Sequence, residues 1–118
     1  MSSKVTCYLR TLRNEWGLTQ KELASLLPKG DRNRVSRVER GVAPPNAGEI
    51  LAYELIFGRP GQAIFRKFSE ETDETVMRSA LRLNQRLEGD STPSAIRKRE
   101  LLSRLRARAI ENANQAEA

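Results

Sequence analysis

The stretch "LTQKELASLLPKGDRNRVSRVERG", residues 18–41, decides the fold. Thr19 followed three residues later by Glu22 is a capping box, which starts a helix. Leu23, Leu26 and Leu27 supply the apolar face of that helix, and Pro28 and Gly30 end it. Asp31 then suits the N-cap of another helix running to about Arg40, with Gly41 as its stop. Four arginines fall within the nine residues 32–40 of this second helix. At about 100° per residue, Val35, Val38 and Glu39 share one side. Asn33, Ser36, Arg37 and Arg40 share the other, with Arg32 and Arg34 on the flanks. The valines require the first side to face the protein, so the opposite side is cationic and turned outward.

That outward face suits a polyanion. Arginine pairs with guanine O6 and N7, asparagine pairs with adenine N6 and N7, and a helix fits the major groove of DNA. Glu39 is the exception on the inner side. A carboxylate there needs a charged partner, and Arg13 lies on the edge of the apolar stripe of the first helix, the one before Gly17.

Outward from this core stretch, Val5, Leu9, Leu12 and Trp16 form one helical stripe, stopped at Gly17. After Gly41 comes the rigid loop "VAPPN". Asn46 caps a helix containing Ile50, Leu51, Leu55, Ile56 and Phe57, and Gly58 ends it. "RPGQAIFRKF" predicts a short fifth helix after Pro60. "SEETDET" places acids ahead of the next helix, where its N-terminal dipole favours them. That helix runs to about Glu88 and is broken at "GDSTPS", with Thr92-Pro93 starting the last one. The last helix extends to about Ile110, and the tail "ENANQAEA" is expected to fray. No alternating strand pattern occurs, so the chain reads as all-α.

The residues in and around the opening stretch resemble the helix-turn-helix domain of the phage-repressor and Cro-like family of transcriptional regulators. That family reads Arg, a few residues, Gly-Leu-Thr-Gln, x-x-Leu-Ala, a turn, then Ile-Ser-x-Ile-Glu-x-Gly. The matching positions are Arg13, Gly17, Leu18, Thr19, Gln20, Leu23, Ala24, Val35, Ser36, Val38, Glu39 and Gly41. The resemblance covers about residues 4–60. It implies a five-helix, lambda-repressor-like domain over residues 1–68, followed by a C-terminal helical extension over 69–118. It implies a phosphate or base contact from Gln20 at the start of the helix that Thr19 caps, and base-edge roles for Arg32, Asn33 and Arg37, and Thr19 beside Gln20 joins the DNA-facing set. Ser36 and Arg40 complete the DNA-facing set. It also suggests the Arg13–Glu39 pair. Two departures stand out. The turn "PKGD" is one residue longer than the family's, and "VAPPN" lacks the Lys or Arg that many relatives use on phosphate. Phosphate contact then falls to Arg34, Arg40 and Arg59.

The charge distribution points the same way. Of 118 residues, 31% are charged and the net charge is +6. Residues 1–68 hold twelve Lys/Arg against six Asp/Glu, and residues 69–118 hold nine of each. All of the excess positive charge therefore sits in the first part, as expected of a nucleic-acid-binding domain.

In the second part, Val76, Ala80, Leu83 and Leu87 make one stripe, with Met77 and Leu81 beside it. Leu101, Leu102, Leu105 and Ala109 share one side of the last helix. The apolar faces are wider than a single helix pairing needs, which predicts a homodimer formed through 69–118. There is no histidine and only one cysteine, and no Gly-rich phosphate loop occurs, so no enzyme, cofactor or metal is expected. Without a membrane span or signal peptide, the expected location is the cytoplasm. The reading is a sequence-specific DNA-binding regulator, a repressor, binding double-stranded DNA through the helix at about 31–40. The alternative is a protein-interaction module or antitoxin component whose C-terminal helices bind a partner protein.

Overall fold

The computed structural model describes residues 7–117, with side chains described to residue 115. Every regular element among them is helical: α1 (Leu9–Glu15), α2 (Gln20–Ser25), α3 (Arg32–Glu39), α4 (Ala47–Phe57), α5 (Gly61–Ile64), α6 (Arg66–Arg86) and α7 (Pro93–Glu117). The chain divides into two compact units, Met1–Ser69 and Glu70–Ala118.

In the first unit, short helices are cut to length by local chemistry. Thr19 accepts from the Glu22 amide while Glu22 accepts from the Thr19 amide, so the capping box at α2 is complete. Asp31 caps α3 by accepting from the Asn33 and Arg34 amides. α4 ends at Gly58, whose φ of 67° is left-handed and favours glycine. Asn46 and Glu49 form a second capping box at the start of α4.

These ends leave Leu9, Leu12, Leu23, Val35, Val38, Tyr53 and Ile64 essentially inaccessible to solvent in one core. α2 and α3 pack on each other, as do α4 and α5. A Cβ on Gly61 would lie 2.7 Å from Ile50 Cγ2, so the close approach of α5 to α4 requires a glycine there. The Tyr8 amide donates to the Ile64 carbonyl at 2.6 Å, tying the entry of α1 to α5. The rings of Tyr53 and Phe65 meet in a tilted contact, 5.8 Å between centroids and 51° between planes.

Several expectations are corrected. Val5 lies outside the described residues. Trp16 is 71% exposed, because α1 ends at Glu15 and Trp16 turns off the helix rather than continuing the stripe. α2 stops at Ser25, before Pro28, and Leu26 is 54% exposed at its C-cap. The acids Glu70–Glu74 lie inside α6, not ahead of it. The backbone breaks at Phe65 (φ −115°, ψ 57°), and no Gly or Pro interrupts the chain from Arg66 to Glu88. α7 reaches Glu117, since "ENANQAE" contains good helix formers and no breaker.

In the second unit, Leu87 and Ala95 are buried on either side of the turn between α6 and α7. Arg99 Nη1 donates to the carbonyls of Leu87 and Asp90, both at 2.8 Å, and holds that turn. Met77, Ala80 and Leu83 on α6 and Leu102, Leu105 and Ala109 on α7 are half-buried. Leu101 departs from its expected stripe and is 58% exposed, and Val76 and Leu81 are also exposed.

Candidate nucleic-acid interface

α3 is held from two directions. On its inner side, Val35 and Val38 enter the core and bring Glu39 with them, because the three share one helical face. Arg13 of α1 meets the Glu39 carboxylate with both arms: Nε lies 2.6 Å from Oε2 and Nη2 3.2 Å from Oε1. Arg13 Nη1 also donates to the Leu18 carbonyl at 2.8 Å, so one guanidinium links α1, the start of α2 and the end of α3. Both residues of the pair are buried.

Gln20 joins this cluster. Its Nε2 donates to Glu39 Oε1 at 3.1 Å, which fixes the side chain at the α2–α3 seam and leaves its carbonyl oxygen outside that bond. Thr19 beside it is exposed, and its hydroxyl is engaged in the cap.

On the opposite side of α3, Asn33, Arg37 and Arg40 are exposed and Ser36 is half-buried, and Arg32 is exposed on the flank. Arg40 Nε donates to Ser36 Oγ at 3.2 Å, one helical turn back. Arg32 and Arg37 make no side-chain hydrogen bond or ion pair with any described residue. The structure thus brings together Asn33, Ser36, Arg37 and Arg40 on one helical face, with exposed Arg32 on its flank and Gln20 bonded to Glu39 on the inner side.

Arg34 is engaged differently from the expected phosphate donor. Its Nε and Nη2 each lie 2.7 Å from a different oxygen of Glu49, and Nη2 also donates to the Pro44 carbonyl at 2.8 Å. The hydrogen bond to Glu49 holds the Arg34 guanidinium above its ordinary value, and the same bond holds the Glu49 carboxyl below its own. Arg34 therefore braces the α3–α4 loop. Glu49 is the residue that the sequence reading missed. Its signal was the Asn46-x-x-Glu49 spacing, which marks a capping box as clearly as Thr19-x-x-Glu22 does.

The loop itself offers phosphate little. The Val42 and Ala43 amides donate to the Arg37 carbonyl, Pro44 and Pro45 have no amide proton, and the Asn46 amide donates to Glu49. Arg59 is exposed beyond α4.

Cys7 is buried in the core. Its thiol lies 3.6 Å from the Val38 carbonyl and 3.8 Å from that of Glu39, and burial pushes it up from its ordinary value. Such a thiol is not poised for redox chemistry. The described residues contain no cluster of His, Cys, Asp and Glu suited to a metal ion, and none of their helices is long and apolar enough to cross a membrane.

No family model matches the chain, and neither does any curated protein or solved structure.

Proposed function

We propose that this chain is a sequence-specific DNA-binding transcriptional regulator of the repressor type, with α2 and α3 as a helix-turn-helix unit and α3 as the reading helix. One observation carries the proposal. The face of α3 opposite the buried valines presents exposed Asn33, Arg37 and Arg40, with exposed Arg32 on its flank, while the Arg13–Glu39 pair anchors the inner side. Two guanidiniums without a partner among the described residues, and an amide, on a braced helix suit the donor and acceptor pattern of major-groove base edges. The excess positive charge of residues 1–68 supports the same reading. The family resemblance gives it a known frame, a lambda-repressor-like domain.

Electrophoretic mobility shift with random duplex at two salt concentrations, followed by selection from random DNA, tests it. The expected result is salt-sensitive binding to random duplex and a tighter, sequence-defined site after selection. Failure to bind duplex even at low salt would overturn the proposal.

A second reading has its own support. Among the described residues of Glu70–Ala118, only Leu87 and Ala95 are buried apolar side chains, and Leu81, Ile96, Leu101 and Ile110 are more than half exposed. A helical unit with so small a core gains stability from a partner. A protein-interaction role for these helices, as in an antitoxin, is compatible with DNA reading by the first unit. Co-purification of a defined protein that α7 truncation releases would support it.

A further inference from the structure

The fold uses only one of the two carboxylate oxygens of Asp31. Oδ1 accepts from the Asn33 amide at 2.9 Å and from the Arg34 amide at 3.4 Å, which caps α3. Oδ2 has no hydrogen-bond partner among the described residues, and the residue is exposed. No described cation forms an ion pair with it. From Leu23 to Val38 it is the only acidic residue, set among Lys29, Arg32, Arg34 and Arg37. Asparagine and serine cap a helix as well as aspartate does, and the helix dipole favours an exposed negative charge only weakly. The cap thus accounts for Oδ1 and not for the second oxygen or the charge. Toward phosphate that charge is unfavourable.

We infer that Asp31 Oδ2 accepts a hydrogen bond from the N4 amino group of one cytosine in the bound duplex, which makes Asp31 a specificity-determining residue. The inference rests on the DNA-binding reading above and names a base that the arginines cannot read. Arginine only donates, so it reads guanine O6 and N7. A carboxylate only accepts, and the major groove offers it two donors, cytosine N4 and adenine N6. Adenine N6 stands beside N7, an acceptor on the same base, which a carboxylate opposes and an amide such as that of Asn33 matches. Cytosine has no such acceptor on its own major-groove edge, and its paired guanine offers O6 and N7 to an arginine. Asp31 and Arg32 are neighbours, both exposed, and together they present the acceptor and the donors that a C·G pair calls for. Bonds to the Asn33 and Arg34 amides hold the carboxylate over the first turn of α3, the part of a reading helix that meets base edges. A carboxylate fixed in this way loses little freedom on binding.

Selection from random DNA with full-length wild type and Asp31→Asn tests it, followed by affinities for single-base variants of the wild-type site. Asparagine keeps the cap through its own side-chain oxygen, and a melting curve checks that the fold is unchanged. The expected wild-type site holds a cytosine at one position where thymine, which puts the O4 acceptor in place of N4, weakens binding about tenfold or more. Asp31→Asn should bind the cytosine and thymine sites with nearly equal affinity and keep the wild-type preferences at all other positions. It should bind random duplex at least as tightly as wild type, because a negative charge is gone. Asp31→Ser, which also caps and carries no charge, should behave in the same way. Wild type and Asp31→Asn selecting one and the same site, with the same preference at every position, would overturn the inference and leave the DNA-binding reading standing. Discrimination lost at an adenine instead of a cytosine also overturns it, and moves the contact to N6. A wild type that binds no duplex sinks the DNA-binding reading itself, and the inference with it.

Discussion

Arg34 of α3 grips Glu49 of α4 with two arms of its guanidinium, each 2.7 Å from a different carboxylate oxygen. The pair is the counterpart, on the far side of α3, of Arg13 and Glu39. One pair ties α3 back to α1, and the other ties it forward to α4. The bidentate geometry plus the bond to the Pro44 carbonyl makes Arg34 a structural residue, at a position whose helical angle alone suggests a phosphate contact.

Arg34→Ala should therefore destabilise the fold by about 2 kcal/mol, the scale of charge-assisted hydrogen bonds to a largely buried carboxylate. Arg34→Lys should recover only part of that, because an ammonium cannot bridge both oxygens of Glu49 and the Pro44 carbonyl as a planar fork does. Urea unfolding of the three proteins measures it. An alanine variant as stable as wild type would mean that Arg34 is solvated.

The same pair sets a pH dependence. The Glu49 carboxyl is held below its ordinary value of 4.5 by Arg34, opposed by its own burial. The folded state thus takes up this proton less readily than the unfolded chain does. Its contribution is complete above about pH 4.5 and is lost as pH falls through the folded value. Wild type should lose melting temperature below that point faster than Glu49→Gln, which has no carboxyl to titrate there. Parallel melting curves under acidification would count against the pair as a source of acid sensitivity.

Arg13→Ala tests the inner brace. It leaves Glu39 buried with only Gln20 and no cation, and breaking a buried pair in this way costs about 3–5 kcal/mol. Replacing both Arg13 and Glu39 by apolar residues should cost less than Arg13→Ala alone, because no unpaired charge remains. If the single and double variants lose equal stability, burial of the carboxylate is not the cause.

Much of this was legible in the sequence because it is local. Thr19 and Glu22, Asp31, Asn46 and Gly58 mark helix ends through bonds or backbone angles within a few residues of themselves. Glu39 was legible by angle, since its side of α3 is fixed by two valines. The partner of Arg34 was not. It lies fifteen residues away on a helix whose placement depends on the core, and periodicity is silent about that. The exposure of Leu51 and Leu55 was equally hidden, because α4 is apolar nearly all round and its pattern does not say which side is inside. The long reach of α6 and α7 was missed for another reason. Acidic and polar segments read as ends, yet no Gly or Pro stood there to stop a helix.

Tyr53 offers a check on the core. Its ring is fully buried against Phe65, and its hydroxyl has no hydrogen-bond partner among the described residues. Burial also pushes the phenol up from its ordinary value, so it stays neutral. An unsatisfied buried hydroxyl costs about 1–3 kcal/mol, so Tyr53→Phe should match or exceed wild-type stability, by about 1 kcal/mol. A clear loss in thermal or urea unfolding would show that an ordered water satisfies the hydroxyl in solution.

The last prediction separates reading from holding, and it rests on the proposed DNA-binding role. Arg37 stands on the outward face of α3 with no side-chain partner among the described residues, free to reach a base edge. Arg40 sits at the C-terminal end of the helix with Nε engaged by Ser36, which leaves its remaining donors for a phosphate beside the groove. Arg37→Ala should cost about 1–3 kcal/mol on the selected site and relax specificity at one base pair. Arg40→Ala should weaken binding to every sequence alike and lower the salt slope by about one unit. Arg34→Ala, compared at equal concentration of folded protein, should leave the salt slope unchanged, because its charge is already neutralised by Glu49. Binding of the three variants to the selected site, its single-base variants and random duplex, across a salt series, decides among these roles. A uniform loss for Arg37→Ala on all sequences would make it a phosphate contact. A lowered slope for Arg34→Ala would show that DNA draws that guanidinium away from Glu49.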